Sequence, residues 1–80
     1  MNGGLVKHSV VISGHRTSVS LEPEFWQALQ ALAKARGNSV NAEIGVIDAN
    51  RGPANLSSAI RLAVLADYQS RLPPHGGGDA

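Results

Sequence analysis

The chain has 80 residues, 42% of them apolar and 4% aromatic, with seven Lys or Arg against six Asp or Glu. That length holds one domain with a core of small aliphatic side chains, marginal in stability alone and readily completed by a second copy. The absence of cysteine excludes disulfides and thiolate metal sites, and no run approaches the roughly 18 apolar residues of a membrane span.

The segment "LVKHSVVIS" opens the fold. Val6, Val10, Val11 and Ile12 are β-branched, and a strand is predicted over residues 5–12. The run is too short, and too interrupted by His8 and Ser9, for a secretory leader, so a soluble cytoplasmic protein is the expectation. Gly14 suits a tight turn, a bulge or a kink, and the sequence does not choose among them. "HRTSVSL" then alternates. It predicts a strand over residues 15–21 with Thr17, Val19 and Leu21 on one face and Arg16, Ser18 and Ser20 on the other.

Glu22-Pro23-Glu24 begins a helix predicted over residues 23–36. Proline at the first helical position loses nothing, because its missing N–H would be unpaired there anyway, and the acids suit the positive end of the helix dipole. Phe25, Leu29 and Leu32 form a stripe that Trp26, Ala28 and Ala33 widen. Lys34 and Arg36 fall in the last turn, and Gly37 ends it. A second helix is predicted over residues 39–50 with Ser39 as N-cap and Val40, Ile44 and Ile47 on one face. Gly45 in its middle marks either a weak point or a close approach of another backbone. Asn50-Arg51-Gly52-Pro53 terminates it.

The third helix is predicted over residues 55–72, capped by Asn55 or Ser57. Leu56, Ile60, Ala63, Val64 and Tyr68 mark one side of it; Leu62, Leu65 and Leu72 mark another. A helix apolar on two sides is usually sandwiched, and in so small a chain the second contact points to another subunit. Pro73-Pro74 stops the helix, and residues 73–80 form the expected disordered tail of a single domain over residues 1–72. The candidate core or dimer-interface residues are Val19, Leu21, Trp26, Leu29, Ile44, Ile47, Leu62 and Leu65. Net charge is only +1, but residues 1–21 hold Lys7 and Arg16 and no acid, so the strand end is the positive end.

Strand, turn, helix, Gly-containing turn and helix together resemble the ribbon-helix-helix superfamily of bacterial DNA-binding proteins, an α+β, mostly helical fold. The carrying residues are "RTSVSLEPEFWQALQALAKARGNSVNAEI". More closely, "GHRTSVSLEPEFW" with "IDANRG" and "NLSSAIRLAVL" resembles a ribbon-helix-helix domain family of small stand-alone proteins with an added first strand and third helix. The resemblance implies an intertwined homodimer whose antiparallel ribbon, one strand from each subunit, enters the major groove of double-stranded DNA. It implies Arg16, Ser18 and Ser20 as base-reading residues, and Asn38, Ser39 and Val40, at the start of the second helix, with Lys7, as phosphate contacts. Arginine can bond guanine O6 and N7 together, and serine hydroxyls can donate or accept. The first strand lies either beside the ribbon or over it; only the first leaves those side chains free.

Two other function classes fit the sequence less well. His8, His15 and His75 are too scattered for a metal site, and no nucleophile–base pair or phosphate loop appears. No catalytic residue, metal or cofactor is therefore expected. The alternative to DNA reading is a partner-binding dimer, as in antitoxins of the superfamily, which would engage another protein through the third helix.

Overall fold

A turn of only two residues, Ser13 and Gly14, joins the strands. Both adopt positive φ, 52° and 78°, the left-handed pair whose twist suits a tight hairpin. The computed structural model describes residues 4–72, and these form β1 (Val6–Ile12), β2 (His15–Leu21), α1 (Pro23–Ala35), α2 (Val40–Asn50) and α3 (Leu56–Arg71). The expected tail, residues 73–80, lies outside the described residues.

β1 and β2 pair antiparallel, from Ile12 opposite His15 at the turn to Val6 opposite Leu21 at the open end. This hairpin lies within one chain. Closing a turn of two residues costs little chain entropy. Alternation then sorts the side chains. Val10, Ile12, Val19 and Leu21 are buried against the helices, while Arg16 and Ser18 stay exposed. Thr17 shares the inner face, opposite Val10, but is itself exposed.

α1 begins with Pro23 in its first turn and ends in a full Schellman arrangement. Gly37, at φ 73°, donates its N–H to the Lys34 carbonyl, and the Asn38 N–H reaches back to the Ala33 carbonyl. Ser39 caps α2 by accepting from the Ala42 N–H at 3.0 Å, and Asn55, not Ser57, caps α3 by accepting from the Ser58 N–H at 2.8 Å. Arg36 and Leu72 act as C-caps and Ser39 and Asn55 as N-caps, so α1 and α2 are each one residue shorter, and α3 two, than the sequence pattern suggested.

The core joins the inner sheet face to Leu29, Leu32 and Ala33 of α1, Ile44 and Ile47 of α2, and Ala59, Ile60 and Val64 of α3. Fully burying each of the larger of these contributes about 1.5–3 kcal/mol. Trp26 is half-buried and stacks on His8 of β1, with ring centroids 3.7 Å apart and planes within 6°, pinning the open end of the hairpin to α1. No helix among the described residues is long and apolar enough to cross a membrane.

Gly45 is a weakness of α2 rather than a site of close approach within the chain: a Cβ there would meet nothing within 4 Å. Gly45→Ala should therefore raise the stability of the chain by about 0.5–1 kcal/mol, read as a higher urea midpoint at unchanged slope. A drop in midpoint would show instead that a second chain packs its backbone against that face.

Candidate nucleic-acid interface

Side chains of residues directly opposite in an antiparallel sheet share a face. Lys7 opposite Ser20, Ser9 opposite Ser18 and Val11 opposite Arg16 therefore line one face, and it is the face turned away from the helices. β1 lies beside β2 and not over it, which resolves the question left by the sequence. Of the three candidate base-reading residues, Arg16 and Ser18 are exposed and Ser20 is half-buried. Lys7 is exposed beside Ser20. Neither strand contains an acidic residue, so the field over this face is set by Lys7 and Arg16.

The start of α2 adjoins this sheet. The Val11 N–H donates to Asn41 Oδ1 at 3.4 Å, placing the first helical turn along the outer edge of β1, level with the Val11–Arg16 pair. With Ala42 N–H given to Ser39 Oγ and Glu43 N–H to the Ser39 carbonyl, Val40 and Asn41 present the N–H groups that lie ahead of the first intrahelical bonds. Asn38 is more engaged: its N–H goes to Ala33, and its side-chain amide donates to Glu43 Oε1 at 2.8 Å.

Glu43 escaped the sequence analysis. It is 1% exposed, and its other oxygen accepts from Arg36 Nη1, also at 2.8 Å. One carboxylate thus ties the end of α1, the turn and the first turn of α2 together. Its signal was available: Val40, Glu43, Ile44 and Ile47 share one helical face, so the lone acid of that stripe had to be buried or break the stripe. A second ion pair works over a longer span. Arg61 of α3 donates to Glu22 Oε1 at 3.0 Å, and this bond holds the Glu22 carboxyl below the ordinary glutamate range. It fixes the junction of β2 and α1 onto α3, with the Arg61 guanidinium over the Phe25 ring at 5.9 Å.

Val19, Leu21, Leu29, Ile44 and Ile47 are buried together, whereas Leu62 and Leu65 are not part of this core. They stand 63% and 47% exposed on α3, opposite the side that carries Ile60 and Val64, because one short helix can turn only one stripe inward. Among the described residues, no three His, Asp or Glu side chains gather as a metal ion would require.

A two-stranded antiparallel sheet followed by a helix, a Gly-containing turn and a capped second helix is consistent with the ribbon-helix-helix fold. The chain matches the model of the ribbon-helix-helix domain over residues 5–68 and belongs to that family, whose members are generally DNA-binding regulators. The match includes all of β1 and most of α3, so both are part of the family pattern and not additions to it. Comparisons with curated proteins and with solved structures find no match.

Because Arg36 is 54% exposed and Glu43 is not, the two partners should respond unequally to substitution. Arg36→Ala leaves a buried carboxylate with Asn38 alone and should cost about 1.5–3 kcal/mol. Glu43→Met removes the buried charge and returns Arg36 to water, and should cost clearly less. Urea midpoints of the two variants check the order.

Proposed function

We propose that the protein is a homodimeric transcriptional regulator that binds double-stranded DNA sequence-specifically by laying the open face of its sheet in the major groove. The observation that carries this is the uncovered face itself, with Arg16, Ser18 and Ser20 on one strand, no acid on either, and every helix packed on the opposite side. The major groove is about 12 Å wide and admits a two-stranded ribbon. Arg16 reads guanine through O6 and N7, and the short Ser18 and Ser20 bring the backbone close to the base edges while their hydroxyls bond. Lys7 and the start of α2, through Ser39 and the Val40 N–H, hold phosphates along the β1 side of the sheet. Asn38 serves that site by shaping the turn.

The dimer forms through α3. Leu62, Leu65, Gln69 and Leu72 recur at intervals of three, four and three residues on its outer side, the spacing of a helix–helix seam. A closed pair of identical seams is the simplest way to cover them. The typically dimeric habit of the family supports the same reading. This pairing uses no residue of the open sheet face.

Selection from a randomised duplex library at low salt tests DNA reading, and the absence of enrichment would defeat it. On the preferred duplex, Arg16→Ala should cost about 1–3 kcal/mol and relax preference at one position. Lys7→Ala should instead weaken all sequences alike and lower the salt slope by about one. Sedimentation tests the dimer: the wild type should sediment as a dimer at micromolar concentration, and Leu65→Glu should yield folded monomer. A wild type that is already monomeric would refute the seam; a partner protein would then be the occupant of α3.

A further inference from the structure

We infer that β1 is the strand that grips the DNA backbone, with Ser9 at its middle donating its hydroxyl to a phosphate. This inference rests on the DNA-binding function proposed above and adds one positioning residue to it.

Position carries the argument. Lys7, Ser9 and Val11 follow one another on the outer face of β1, each step being two residues, or about 6.8 Å along the strand. Lys7, toward the open end of the hairpin, is one proposed phosphate contact. The start of α2 is the other, and the bond from the Val11 N–H to Asn41 sets it against the outer edge of β1 toward the turn. Ser9 is exposed and lies between the two, on the face that carries Lys7 and Arg16. A DNA backbone that meets both ends of this row passes Ser9.

Breadth points the same way. In the proposed function β2 reads bases, and β1 stands about 4.8 Å to its side, between the reading strand and the start of α2. A second copy adding its β2 along the far edge of this β2, as the family resemblance implies, leaves each β1 outermost. The two β1 axes then stand about 14 Å apart, wider than a major groove of about 12 Å. The β2 side chains come over the groove floor, and the β1 side chains come over its rims, where the phosphates run.

The chemistry of the two strands divides accordingly. Arg16 of β2 is long and can reach the acceptors of guanine. Ser9 of β1 is short and neutral: from the rim its hydroxyl can donate one hydrogen bond to a phosphate oxygen, but it does not span to the base edges. Neither strand carries an acid to repel that phosphate. Phosphate contacts fix register and carry no sequence information, so Ser9 holds the sheet in place while Arg16 and Ser18 select the sequence.

The test replaces the phosphates of the preferred duplex one at a time by neutral methylphosphonates. At one phosphate the wild type should lose about tenfold in affinity, and Ser9→Ala should lose little further there, because the bond is already gone. The losses at the phosphates held by Lys7 and by α2 should remain in that variant. On unmodified DNA, Ser9→Ala should weaken preferred and unrelated duplexes alike. It should also keep the salt slope, since a hydroxyl displaces no counterion, in contrast to Lys7→Ala. Ser9→Thr, which keeps the hydroxyl, should restore binding, with the fold of each variant verified by Trp26 fluorescence. If the wild type selects a sequence and Arg16→Ala relaxes it, but Ser9→Ala keeps the methylphosphonate profile of the wild type, Ser9 touches no phosphate and the inference falls alone. Relaxed preference at one base position in Ser9→Ala would overturn it as well, by showing that β1 reads bases. If the wild type selects no sequence, the inference falls together with the function on which it rests.

Discussion

The turn at Ser13 and Gly14 sets the register of the sheet, and the register decides which side chains meet the helices. Placing Ile12 opposite His15 sends Val10, Ile12, Val19 and Leu21 inward and Lys7, Ser9, Val11, Arg16, Ser18 and Ser20 outward. A slip of one residue would exchange the two sets, exposing the apolar half of a small core and burying a lysine and an arginine. The core thus stabilises the same register that keeps the outer face polar. The fold and the candidate interface are two faces of one constraint.

The helices convert that register into a fixed frame. The hairpin is held at its open end by Trp26 on His8 and along its β1 edge by Asn41. Around the α1–α2 turn the structure uses polar groups where a larger protein would use more apolar surface. Burying the Glu43 carboxylate is costly, and the bonds from Arg36 and Asn38 offset that cost only in one geometry. Such a contact adds little net stability, but it holds the start of α2 at a defined angle to the sheet. Glu22 and Arg61, half-buried and weaker, do the equivalent for the β2–α1 junction.

Much of this was legible in the sequence because local chemistry agreed with the fold. The alternation of "RTSVSL", Pro23 at a helix start, Gly37 at a helix end, and the stripes of α1 and α2 each have a short-range cause, and each stands where its cause put it. The outward set of Arg16, Ser18 and Ser20 was legible for the same reason. What could not be read were facts of long range. Gly14 allows several turns, and only the pairing of seven residues on each side selects the tight one. That Glu43 lies on the apolar stripe of α2 was legible, but its partners were not, because Arg36 and Asn38 are brought round to it by the turn. The two apolar sides of α3 were plain, but which one faces inward depends on how α1 and α2 pack, and Leu62 and Leu65 lost that competition to Ile60 and Val64.

The hairpin also bears on how the protein comes to exist as a folded molecule. A ribbon shared between two chains appears only when they collide, so its formation is second order in concentration and fails on dilution. A ribbon closed by two adjacent residues forms within one chain, in about 1–10 μs for an isolated hairpin, at any dilution. Each chain can therefore close this hairpin on its own. Any pairing of copies would then be a step between folded molecules, with its own rate and its own concentration dependence.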